Sequence, residues 1–106
     1  MEYVLTEKDD TLELLIKGSF SFKDEKKFFI VIRKLHESEI KKVIFDLSEC
    51  TFMDSASLGM LIVAGKEASL RQAKLIILNP NKKIKELLFI TKMNEVFEIK
   101  ELDIEY

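Results

Sequence analysis

At its start the chain lacks a basic segment followed by an apolar run. It begins MEYVLTEKDD, and its longest unbroken apolar stretches, FFIVI and MLIVA, are five residues long. A secretory leader needs the first pattern and a membrane-spanning helix needs about 20 apolar residues, so neither export nor membrane insertion is expected and the cytoplasm is the expected location. Positive charge is not in excess either. Seventeen basic against nineteen acidic residues leave a net charge of −2, too little field to gather phosphate backbones or anionic lipid, which argues against nucleic acid as a partner. A single cysteine, Cys50, excludes an internal disulfide and agrees with a reducing compartment. It reads as a small apolar filler near a strand end.

Several catalytic signatures are missing as well. His36 is the only histidine and sits among charged residues near a predicted helix end, where a cation suits the negative end of the dipole. No G-x-S-x-G elbow surrounds a serine, so a Ser-His-Asp hydrolase has little support. No G-x-x-x-x-G-K-[ST] or G-x-G-x-x-G loop cradles phosphate, and metal-ligand spacings are absent. A phosphoryl-accepting receiver domain needs companion acids at the end of an early strand to hold magnesium, whereas here that strand ends Lys17-Gly18-Ser19. Asp46 lies inside a buried-type strand and reads as structural. No enzymatic activity, cofactor or metal is expected.

What the chain does have is an apolar fraction of 47% beside a charged fraction of 34%, material for one core and a solvated surface. Its length suits one domain, 1–106. Residues 2–8 and 11–17 alternate apolar and polar positions around an Asp9-Asp10 turn, which predicts an antiparallel hairpin ended by Gly18. From Phe22 to about Glu37, Phe28, Val31, Ile32 and Leu35 recur at helical spacing, with Ser21 as N-cap and Asp24 and Glu25 favouring the helix start. Phe29 and Ile30 fall off that face, so this helix is either deeply buried or offers an apolar surface to a partner. KKVIFDLS, 41–48, predicts a strand covered on both faces. A second helix follows, with Leu58, Leu61, Ile62, Gly65 and Ala68 inward and Gly59 and Gly65 allowing close backbone approach. AKLIIL, 73–78, is a further strand. Asn79 and Pro80 open a third helix with Ile84, Leu87, Leu88 and Thr91 inward, and residues 96–99 form a last short strand. The order predicts an α/β fold: an N-terminal β-hairpin, then alternating strands and helices, giving a mixed sheet with packed helices. The distribution of helices between the faces stays open.

In such sheets functional groups collect where strands run into helices, here at 49–57. Asp54 or Ser55 can cap the second helix, and the cap alone accounts for those residue types. As a string, however, FDLSECTFMDSASLGML resembles the signature of the STAS domain family, in particular its bacterial anti-sigma factor antagonists, where an apolar strand runs into "FMDSSGLG" and a helix. Asp46-Leu47-Ser48, Phe52-Met53-Asp54-Ser55 and Leu58-Gly59 match it, and the hairpin, Gly18, the first helix and AKLIILNPNKKIKELL fall in the family's order.

The resemblance implies that Ser55, directly after the motif aspartate, is phosphorylated by an anti-sigma factor that is also a serine kinase. A separate phosphatase would reverse the modification, and the unmodified form would bind the kinase and free a sigma factor. Asp54, Ser55, Ala56 and Ser57 then belong to the partner-binding surface, with Ser21 at the position where the family's strand-end "GELD" reads Gly18-Ser19-Phe20-Ser21. Ser57 replaces the glycine of "SSG" and is a second candidate acceptor. A STAS-like scaffold or transporter subunit that is never phosphorylated is the alternative. Phe20 and Phe22, flanking Ser21, serve either core packing or an apolar contact patch, and self-association through Phe29 and Ile30 is left open.

Overall fold

The computed structural model describes residues 1–37 and 39–102. Strands β1 (Glu2–Lys8) and β2 (Thr11–Phe20) form the hairpin, with Asp9 at φ +57 in the turn. A 3₁₀ turn, Phe22–Asp24, leads into α1 (Glu25–Glu37). Then follow β3 (Lys42–Met53), α2 (Ser55–Leu70), β4 (Lys74–Leu78), α3 (Lys82–Ile90), a second 3₁₀ turn, Met93–Glu95, and β5 (Glu98–Lys100). The sheet order is β1-β2-β3-β4-β5, antiparallel at β1/β2 and parallel thereafter. Successive right-handed crossovers running one way along that order put all three helices on one face. Burial agrees: Leu12, Leu14 and Ile16 of β2 and Val43, Phe45 and Leu47 of β3 are fully buried, while the alternate positions Glu13, Leu15, Ile44 and Asp46 are half-exposed. The result is a two-layer α/β domain with its core between sheet and helices.

A run of phenylalanines crosses that core. Phe20 stacks on Phe28 with ring centroids 5.1 Å apart, Phe28 lies 6.1 Å from Phe45, and Phe45 meets Phe97 edge-on at 6.1 Å. Phe20 therefore belongs to the core, whereas its neighbour two residues on, Phe22, is 63% exposed. Gly65 is buried, and a Cβ there would stand 3.4 Å from the Phe97 ring and from Val96, which is the close approach expected of it.

Several expectations are corrected. Gly18 does not end β2; it sits in the strand at φ +76, beside a register shift, and pairing resumes through Phe20. The third strand does not stop at Ser48. Twice β3 spends an extra residue against β2, pairing Lys17 with Glu49 and Ser19 with Phe52, so its burial alternation breaks after Leu47 and its polar second half reads as loop in sequence. Such bulges re-aim the end of a strand. Ile62 is 38% exposed and Ala64 is buried in its stead. At Gly59 an added Cβ meets nothing within 4 Å, so no backbone crowds it.

The third helix is capped by Asn81, whose side chain accepts the Ile84 N–H at 2.9 Å. Asn79 instead adopts φ +52 and accepts the Leu102 N–H at 2.7 Å. Thr91 is an exposed C-cap, its hydroxyl donating to the Leu87 carbonyl at 2.7 Å. The last strand runs 98–100, because Val96 closes the preceding 3₁₀ turn. Of the C-terminal LDIEY, residues 103–106 lie outside the described residues.

Candidate functional site

The bulged end of β3 delivers Asp54 to the mouth of α2, and the predicted loop shrinks to that one residue. Asp54 is extended at φ −111, ψ −177 and caps the helix. Its Oδ1 accepts the Ser57 N–H at 2.8 Å. In return Ser57 Oγ accepts the Asp54 N–H at 2.9 Å and donates to the Asp54 carbonyl at 3.0 Å. This reciprocal box satisfies amides that a helix start otherwise leaves orphaned. It also commits Ser57 to the interior, where it is 0% exposed.

Asp54 does a second task that sequence could not show. Its Oδ2 accepts the Phe22 N–H at 3.1 Å, so one carboxylate ties the start of α2 to the 3₁₀ turn that starts α1. That turn has its own box: Ser21 Oγ accepts from Lys23 N–H at 3.4 Å, and Asp24 Oδ2 accepts the Ser21 N–H at 2.8 Å. The structure thus brings Ser21, Asp54, Ser55 and Ala56 to one end of the molecule. Ser55, first residue of α2, is exposed, as is Ala56; Ser21 is half-buried in its capping role.

The Ser57 amide, with the Phe22 amide after it, holds the Asp54 carboxyl below the usual carboxylate range despite some desolvation. Burial pushes the Asp24 carboxyl up, but the amino terminus and the Ser21 amide outweigh it, and the net shift is also downward. A depressed carboxyl contributes stability above its unfolded value, near pH ~3.9, and that stability fades as pH falls through the lower folded value. Denaturation at neutral pH and near pH ~3 should therefore show the wild type losing more on acidification than Asp54→Asn, which lacks the charge to lose. Equal losses would remove Asp54 from the acid response. Ser57→Ala should lower stability by about 1 kcal/mol for the lost hydroxyl bonds, read as a melting temperature some 4–8 °C lower.

Other titratable groups stand apart. His36 Nδ1 is 3.4 Å from Glu67 Oε2 and exposed to solvent, and Glu67 lies twelve residues beyond Ser55 in α2, roughly 18 Å along the helix; no imidazole serves the serine. Burial pushes the Cys50 thiol up, the opposite of an activated cysteine. Asp46 accepts the Ser48 N–H at 2.9 Å, a structural use. No helix among the described residues is long and apolar enough to cross a membrane.

Beside Ser55 runs a feature that the off-face Phe29 hinted at. A groove of about 260 Å³ lies between α1 and α2, lined by Glu25, Phe28, Phe29 and Ile32 on one side and Ala56, Gly59, Met60 and Val63 on the other. Phe29 is 51% and Val63 43% exposed, and open Gly59 keeps the groove clear. The first helix therefore presents an apolar surface.

A STAS-domain containing protein of Pseudomonas aeruginosa (strain UCBPP-PA14) is 25% identical over 88 residues, 83% of this chain and 86% of that protein. The anti-sigma-B factor antagonist of Listeria monocytogenes serovar 1/2a is 33% identical over 58 residues, 55% of this chain, and about half (51%) of its own length is spanned. The anti-sigma factor antagonist SpoIIAA superposes in its unphosphorylated form with a TM-score of 0.85 at 14% identity, over 96% of this chain and 89% of that one. For its phosphorylated form, from Bacillus, the values are 0.79 and 14%, over 96% and 92%. The family model for the STAS domain matches residues 2–102, and the chain belongs to that family.

Proposed function

We propose that this chain is an anti-sigma factor antagonist that binds an anti-sigma factor serine kinase while Ser55 is unmodified and lets go once Ser55 is phosphorylated. Transcription regulation follows from which partner the anti-sigma factor holds, and a separate phosphatase resets the switch in the cytoplasm. The chain is the substrate, and the catalytic groups are those of the kinase. In the transfer, Ser55 Oγ attacks the γ-phosphorus of ATP, its proton passes to a base on the kinase, and ADP leaves.

The observation that carries this reading is the contrast between two serines: Ser55 is exposed on the first turn of α2, and Ser57, two residues on, is sealed in the cap. A phosphate of about −1.5 to −2 charges on Ser55 meets the positive end of the helix dipole, and the Asp54 box one residue away need not open. The fold can then stay as it is while the surface changes sign. Similarity to SpoIIAA, an anti-sigma factor antagonist with an unphosphorylated and a phosphorylated form, supports the same reading.

Incubation with the anti-sigma factor kinase and ATP, followed by phosphosite mapping, tests it. One phosphate on Ser55, absent from Ser55→Ala and retained by Ser57→Ala, is expected. Incorporation that ignores Ser55→Ala would refute the site, and no incorporation at all would favour the unphosphorylated scaffold.

A further inference from the structure

Ser55 stands at one end of the groove between α1 and α2, and the side chains around that groove are not neutral. On α1, Lys26 and Arg33 bracket Phe29 and Ile30 at one-turn spacing, and on α2 Lys66 follows Val63 by three residues, all five being exposed with Val63; residues so spaced share a helix face. The sequence of α1 carries four basic and two acidic residues and that of α2 one of each, within a chain of net charge −2. Basic side chains from both helices thus flank this open apolar surface.

We propose that this groove is the docking surface for an acidic amphipathic helix of the partner, whose apolar stripe lies between Phe29 and Val63 and whose carboxylates face Lys26, Arg33 and Lys66. A second copy of this chain is a poor occupant, because it would bring the same basic rim against itself. An acidic occupant fits both the apolar floor and the charged rim, the pattern of helix-in-groove recognition with complementary potentials. It also explains the position of the switch: a phosphate on Ser55, added at the end of a groove already lined there by Glu25 and Ala56, repels a helix bearing carboxylates.

The inference rests on the partner-binding role proposed for Ser55, and the two fail separately. The probe is a capped helical peptide with leucines at i, i+4 and i+7 and glutamates on its flanks, compared with a twin in which every glutamate is lysine. Both are titrated into isotopically labelled protein and followed by amide chemical shifts. The acidic peptide is expected to bind at least about tenfold tighter than its twin, to shift amides around Phe29, Ile32 and Val63, and to lose that advantage in about 1 M salt, where the screening length is ~3 Å.

Gly59→Leu should fill the groove and abolish binding without lowering the melting temperature, since a Cβ there meets nothing within 4 Å and leucine suits a helix better than glycine. Twins that bind alike, shifts confined to the open sheet face, no binding at all, or Gly59→Leu binding like wild type would each overturn the proposal. If the peptides discriminate but Ser55 takes no phosphate from the kinase, the groove stands and the switch falls; the reverse pattern condemns the groove alone.

Discussion

Phosphorylation of Ser55 is expected to weaken the complex with the anti-sigma factor kinase by roughly two to three orders of magnitude while leaving the melting temperature within a few degrees. The size follows from charge. A dianion forced into a buried interface without a partner costs about 3–5 kcal/mol, and each 1.4 kcal/mol is about tenfold in affinity. The unchanged stability follows from position, because Ser55 is exposed in the first turn of α2 and makes no part of the Asp54–Ser57 box. Ser55→Asp should behave as a smaller version with a distinctive sign pattern. One negative charge at a helix start gains about 0.3–1 kcal/mol from the dipole, so the variant should melt no lower than wild type and yet bind more weakly. Calorimetric titration beside thermal melts reads both. A Ser55→Asp that loses affinity only in proportion to lost folding would mean that the residue is structural.

The largest effect on folding is expected at Phe45. It is fully buried in the central strand β3 and touches both Phe28 and Phe97, so Phe45→Ala opens a cavity beside two neighbouring rings. Truncations of this kind cost about 3–5 kcal/mol, against a total of about 5–15 kcal/mol for a domain of this class. In urea the midpoint should fall steeply with the slope unchanged. Phe45→Leu, which keeps most of the volume, should cost under about 1.5 kcal/mol. Similar losses for the two would show that the rings do not form one packed unit.

Much of the architecture was legible because its signals are local. The alternation of residues 2–8 and 11–17 gave the hairpin, Phe28, Val31 and Leu35 gave the buried face of α1, and Ser21 and Asp54 announced helix starts by their side-chain oxygens. Where the sequence misled, a non-local contact had overruled a local rule. Ser48 to Phe52 have no strand pattern of their own, and they are strand because bulges let β3 keep pairing with β2. Asn79 is the expected cap of the third helix, but Asn81 caps it instead, because Asn79 turns left-handed and holds Leu102.

The site divides the same way. Ser55 at a strand-to-helix junction was readable from the motif, as was the open question of Ser57, but nothing in the string reveals that Ser57 is sealed. Nor does spacing show that Asp54 reaches the Phe22 amide, thirty-two residues away. The groove left only a trace, Phe29 off its helical face and a glycine at 59.

The central claim is that charge on one exposed hydroxyl decides association while the fold stays intact. An equal mixture of unmodified and Ser55-phosphorylated protein, passed over immobilised anti-sigma factor and eluted into a mass spectrometer, tests it most directly. The account predicts that nearly all retained protein is unmodified and that the phosphorylated flow-through melts like the input. Retained protein that mirrors the mixture, or a phosphorylated fraction that has lost its cooperative melt, would contradict it.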